Sequence, residues 1–244
     1  MMSKTKDLFQ EIEDSNDGFN HIAMDGGHFM IEKHEVIEKL LKCRENDVFS
    51  VGLVPVIRFE EKCIFFLDVD YLDENQTIED VMSVCLKVLR EGYKDNLLTN
   101  RYITKSKSKN RYHVYLPQII LTKETLTLLW FYINDSFENK PIDASPFGLR
   151  YDGFFKFDTK ITQKFAPNTE YVPYKNQFTL DKKFYSDTYL FADNDAKVSE
   201  IDFKFHFELS WNYSEIQKDF EGNYHRVFIE KGVEKFKKEK EQKQ

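Results

Sequence analysis

Apolar residues change their spacing several times along this chain, and each change marks an element. From His34 to Cys43, Val36, Ile37, Leu40 and Leu41 recur three and four residues apart, which predicts a helix. Val51 to Phe59 and Cys63 to Asp70 are nearly continuous apolar runs. The polar triplet Glu60-Glu61-Lys62 between them predicts a hairpin. Thr77 and Asp80 stand at capping-box spacing ahead of a stripe made by Ile78, Val81, Met82, Cys85, Leu86 and Leu89, so a second helix is expected there. Tyr112 to Leu116 predicts a short strand that stops at Pro117, which has no N–H to give a ladder. Thr122 can cap a buried helix reaching about Phe137. Leu149 to Phe157, Thr188 to Phe191 and Ile201 to Leu209 read as further strands, the last with Ile201, Phe203, Phe205 and Phe207 on one face. Strands and helices alternate without a regular period, so the predicted fold class is α+β rather than a doubly wound sheet.

Composition adds limits to that outline. A chain of 244 residues with 41% hydrophobic and 16% aromatic content can bury a sizeable core, and disorder is expected only at its ends. Residues 1–30 form an acidic, irregular N-terminal segment, residues 31–225 a core without an obvious linker, and residues 226–244 a charged tail rich in Lys and Glu. No apolar run approaches the length of a membrane span and no signal-peptide pattern opens the chain, so a soluble intracellular protein is expected. Cys43, Cys63 and Cys85 have no metal-knuckle spacing, which excludes a zinc module and a disulfide framework. The formal charge of −7 argues against general affinity for nucleic acid. Its distribution is uneven, however. Arg101, Lys105, Lys107, Lys109 and Arg111 follow one another with no acid between them, either as a solvated loop or as a local seat for phosphates.

Candidate chemistry centres on Phe66-Leu67-Asp68-Val69-Asp70. In a strand, residues two apart share a face, so Asp68 and Asp70 point the same way. Two carboxylates held that close repel, and a divalent cation with oxygen ligands is the usual compensation. An exposed strand end that merely carries two acids explains the pair equally well, because 42 residues are Asp or Glu. His113 sits on the strand after the basic run, where it can serve the core or donate to a phosphate oxygen. Asp143 follows the second predicted helix, as a turn residue or as a third metal acid. Arg150, with Lys156 and Lys160 behind it, can neutralise a triphosphate or decorate a strand.

Taken in order, these pieces resemble the archaeo-eukaryotic primase superfamily, most closely the primase portion of poxvirus-type primase–helicases of large DNA viruses. The pattern there is an apolar strand ending in DxD or DxE, a strand bearing His, an apolar residue followed by Asp, and then a Leu-Arg pair with Lys behind it. Phe66-Leu67-Asp68-Val69-Asp70, Tyr112-His113-Val114, Ile142-Asp143 and Leu149-Arg150 supply those pieces between about residues 60 and 195. Two positions before the His the family commonly has Ser, and this chain has Arg111. A Gly-x-x-x-x-Gly-Lys-Ser/Thr loop is absent, so no helicase of that type lies on this chain.

The resemblance implies a primase-like core, in which an RRM-like subdomain packs on a second small sheet. It implies a DNA primase or primase-polymerase in which Asp68, Asp70 and Asp143 hold two Mg²⁺ or Mn²⁺ ions. His113, Arg150, Lys109 and Lys156 would then bind the triphosphate of an NTP or dNTP. Arg101, Lys105, Lys107 and Arg111 would track a single-stranded DNA template, with a replicative helicase on a separate chain as a further partner and viral DNA replication as the setting. Two other functions compete. A metal-dependent glycosyltransferase also uses DxD, but gives His113 and Asp143 no role. A non-catalytic primase-like module would bind nucleic acid without synthesis.

Overall fold

The computed structural model describes residues 5–12, 18–24, 26–48, 50–58, 60–89, 101–106, 110–143, 148–154, 169–171, 179–199, 214–218 and 224–228. In chain order the elements are α1 (Thr5–Leu8), β1 (His21–Ala23), β2 (His28–Phe29), α2 (Lys33–Glu45), β3 (Leu53–Pro55), β4 (Lys62–Val69), α3 (Ile78–Val88), β5 (Tyr102–Ser106), β6 (Tyr112–Thr122), α4 (Lys123–Asp135), β7 (Thr169–Tyr171), α5 (Lys182–Asp187), β8 (Ser214–Lys218) and β9 (Tyr224–Phe228). They form an α+β fold with antiparallel sheets in the orders β2-β1-β3, β4-β6-β5-β7 and β8-β9. Among the described residues no helix is long and apolar enough to cross a membrane.

Local signals account for most of the larger sheet's frame. Thr77 and Asp80 close a reciprocal capping box at the start of α3, the Thr77 hydroxyl accepting from the Asp80 N–H and the Asp80 carboxylate from the Thr77 N–H. Thr122 caps α4 by accepting from the Thr125 N–H. The apolar run of β4 is buried almost throughout because the strand lies under α4. Trp130 of α4 donates its indole N–H to the Phe66 carbonyl at 2.9 Å and meets the Phe66 ring edge-on.

Five expectations are corrected. The hairpin between Val51–Phe59 and Cys63–Asp70 does not form: β3 pairs with β1 and β4 with β6, and a turn in which the Glu61 N–H donates to the Arg58 carbonyl sends the chain from one sheet to the other. The strand at Tyr112 does not end at Pro117. Leu116 pairs with Phe65 while Ile120 pairs with Ile64, so residues 117–119 bulge out and proline occupies a place that needs no ladder donor. The region 1–30 is not irregular throughout, since α1, β1 and β2 lie within it and His21 and Phe29 are fully buried. Of the strand expected at Leu149–Phe157, the described residues up to Phe154 form loop and turn and the rest lies outside the described residues, while among the described residues Thr188–Phe191 supplies a single bridge, Phe191 to Cys63. The strand expected at Ile201–Leu209 and the tail from Lys231 lie outside the described residues.

Segment 148–154 joins the two larger sheets, and two glycines permit this. A Cβ on Gly148 would sit 2.8–2.9 Å from Pro55, whose carbonyl accepts the Gly148 N–H at 2.8 Å. Gly153 has φ +86°, a conformation costly for a residue with a side chain. Between them Tyr151 donates its hydroxyl to Nε2 of His21 in β1 at 2.9 Å, while Nδ1 of that ring donates to Asn20 Oδ1 at 2.7 Å. Burial pushes the His21 pKa down to about 3, in keeping with a neutral ring that accepts from the tyrosine.

Candidate metal and phosphate site

The site lies where β4 runs out of apolar sequence. Asp68 pairs with His113 across the β4–β6 ladder, and Val69 with Tyr112, so the next pair brings Asp70 towards Arg111. Arg111 Nη1 is 3.3 Å from Asp70 Oδ2, and His113 Nε2 is 3.7 Å from Asp68 Oδ1. All four side chains are partly exposed.

Asp143 arrives from far along the chain, on the free edge of β4. Ile142 forms a bridge with Val69, the Asp143 N–H donates to the Asp68 carbonyl at 2.8 Å, and the Asp70 N–H donates to the Pro141 carbonyl at 3.0 Å. Asn134 of α4 secures this approach with both halves of its amide. Its Nδ2 donates to the Ile142 carbonyl at 2.7 Å, and its Oδ1 accepts the Ile142 N–H at 2.8 Å.

One carboxylate oxygen from each of Asp68, Asp70 and Asp143 thus lies within 4.8 Å of the others. An all-oxygen donor set suits a hard cation such as Mg²⁺ or Mn²⁺. Opposed oxygens around such an ion are about 4.2 Å apart, a separation comparable to the 4.8 Å within which these three oxygens lie. The residues therefore fit the group.

Behind His113 stands Asp152, buried at 4% exposure, with both carboxylate oxygens accepting. It receives His113 Nδ1–H at 3.1 Å, the Tyr115 hydroxyl at 2.5 Å and the Thr104 hydroxyl at 2.9 Å. Burial works against the Asp152 anion, but His113 and the two hydroxyls overcome it and hold its pKa below the usual carboxylate range. Burial likewise works against the His113 cation, and the attraction of Asp152 and Asp68 outweighs it, so its pKa lies above the ordinary imidazole value. Burial and the neighbouring Asp152 push the Tyr115 phenol well up, which keeps it a donor. Arg150 donates to the Phe154 carbonyl. Burial lowers its pKa while Asp152, Asp68 and Asp70 pull it upward, which places its charge in the field of the acids.

The structure thus gathers Asp68, Asp70, Asp143, His113, Arg111 and Arg150 in one place. Lys105, on β5, sets its ammonium over the Tyr112 ring at 5.7 Å. Arg101, expected among the template-tracking cations, has a side chain only 3% exposed and is bound to Glu79 of α3 at 2.8 Å. Lys107, Lys109 and Lys156 lie outside the described residues. Sequence reasoning missed Asp152, Tyr115, Thr104 and Asn134. Asp152 alone left a trace, standing two residues after Arg150, but nothing local distinguished it from the other acids. No protein-family model matches this chain, and a search of curated proteins returns no match.

Proposed function

We propose that this chain is a primase-type nucleotidyltransferase that extends a strand on a single-stranded DNA template from an NTP or dNTP. The observation that carries this is the convergence of the Asp68–Asp70–Asp143 triad with His113 and Arg150, five residues drawn from four separate stretches of chain. Asp68, Asp70 and Asp143 would hold Mg²⁺ or Mn²⁺, which when bound supplies Lewis-acid stabilisation for the attacking 3′-oxygen and the leaving pyrophosphate.

The chain's own residues do the rest. His113 presents Nε2 beside Asp68 and, as the imidazolium that its two acidic neighbours favour, donates to a phosphate oxygen. Arg150 offsets the triphosphate's charge from the same side. Arg111 neutralises Asp70, a contact that a metal ion held by the three acids would replace. A replicative helicase on another chain fits the same proposal as the source of single-stranded template.

The Arg111–Asp70 contact also favours a second reading, a primase-like module that binds nucleic acid without synthesis, because the guanidinium occupies a carboxylate that catalysis needs. One assay separates the two: synthesis on single-stranded DNA with Mg²⁺ or Mn²⁺ and labelled NTPs and dNTPs, with Asp70→Ala alongside. The expected result is metal-dependent product that falls at least about a thousandfold in the variant, while its thermal midpoint stays within a few degrees of the parent. Binding of single strands by folded protein without any product would favour the module. Turnover of a nucleotide sugar instead would favour the glycosyltransferase.

A further inference from the structure

We infer that Asp152 is a positioning residue for His113: it fixes which ring nitrogen meets the triphosphate, and thereby how tightly the phosphates are held. This rests on the nucleotidyl-transfer proposal for the identity of the ligand, but the anchoring itself stands on geometry alone.

An ionised carboxylate only accepts hydrogen bonds, so the 3.1 Å contact between Asp152 Oδ1 and His113 Nδ1 requires the proton on Nδ1. Tyr115 does not compete for that role. Its hydroxyl lies 3.3 Å from His113 Nδ1 but only 2.5 Å from Asp152 Oδ2, and its proton goes to the carboxylate. Nδ1 therefore keeps its hydrogen whatever charge the ring carries, and Nε2 is the nitrogen presented beside Asp68. Asp152 is itself held from several directions. Thr104, across the β5–β6 ladder from His113, donates to Oδ1, and Tyr185 of α5 donates to the Asp152 backbone carbonyl at 2.7 Å. The imidazole is thus tied by one edge to a rigid, buried anchor, and its other edge faces the acids. Such a partner to a ligand-contacting histidine orients the ring and selects its tautomer.

Two measurements on the full chain test this. The first reads the ring directly, by long-range proton–nitrogen NMR of His113 at alkaline pH, where the neutral tautomer is visible. The parent protein is expected to show the Nδ1–H form, and Asp152→Asn to lose that exclusive preference. An Nε2–H form in the parent, or an unchanged tautomer in Asp152→Asn, overturns the inference.

The second is calorimetric titration with inorganic tripolyphosphate and Mg²⁺. Asp152→Asn is expected to weaken binding about ten- to a hundredfold, and the Asp152→Asn/His113→Ala double variant to bind no worse than His113→Ala alone. Losses that simply add would show Asp152 acting independently of the ring, against the inference. Tyr151→Phe serves as the packing control, since it removes a buried hydroxyl from the same segment whose partner is His21 rather than the Asp152–His113 pair. Its binding should stay within about twofold of the parent, and a loss equal to that of Asp152→Asn would overturn the inference. If the tautomer behaves as expected but tripolyphosphate never binds, the anchoring survives and the nucleotidyl-transfer proposal fails with its ligand.

Discussion

At the scale of single residues, Arg111 stands directly beside the acid cluster on which the proposed function rests. Its guanidinium lies 3.3 Å from Asp70, and its Nε is buried without a hydrogen-bond partner among the described residues. A partly exposed ion pair of this kind contributes about 0.2–1 kcal/mol, so a cation that takes Asp70 must displace it at roughly that cost. Replacing Arg111 by Ser should therefore tighten Mn²⁺ binding about 1.4- to 5-fold, as read by paramagnetic titration. Weaker binding in that variant would mean that the guanidinium shapes the acid cluster rather than competing for it. Local sequence made both residues visible, because β-strand parity aims Asp70 and Asp68 together. It did not reveal that Arg111 faces Asp70, which depends on the β4–β6 register.

At the scale of elements, the site depends on how α4 meets β4. Asn134 holds the Ile142 backbone with two hydrogen bonds, and Ile142 in turn lies against Val69. Removing the amide leaves a buried N–H and a buried C=O without partners, a loss of about 1–3 kcal/mol. Asn134→Ala should lower stability by that amount in urea denaturation and weaken Mn²⁺ binding through a misplaced Asp143. Lost stability with unchanged metal affinity would show that Asp143 reaches the cluster without this support. Helix and strand identity here were legible: the capping box of α3, the Thr122 cap of α4 and the apolar run of β4 all lie where the residue pattern puts them. Pro117 misled because its missing N–H signals a strand end. The bulge against Ile64 and Phe65 gave it a place inside a continuing strand.

At the scale of the whole molecule, one buried cation ties stability to pH. Lys123 is 1% exposed, with its ammonium 4.0 Å from the Trp130 ring centroid and 5.0 Å from that of Phe66. Burial pushes its pKa down to about 7, against about 10.4 in an unfolded chain. Below pH 7 both states carry the proton and this group adds no pH dependence. Between about pH 7 and 10 the unfolded chain holds more protons on it than the folded one, so this group's contribution to stability should rise with pH across that window. The rise is expected to be on the order of a few kcal/mol, and Lys123→Met should abolish it while gaining stability near neutral pH. A parent stability curve that is flat or falling relative to the variant between pH 7 and 9 would overturn this.

By itself the sequence determined what depends on spacing along the chain: the helix caps, the α+β character, and two carboxylates aimed together at the end of an apolar strand. Those features follow from backbone geometry over a few residues. Tertiary structure alone decided which distant groups meet. Asp143 reaches Asp68 from 75 positions away only because segment 141–143 docks on the free edge of β4. His113 acquires Asp152 only because the loop between Gly148 and Gly153 turns Tyr151 to one sheet and Asp152 to the other. No local pattern encodes such pairings, since the hydrogen bonds that make them are set by strand order, register and the close approach of loops.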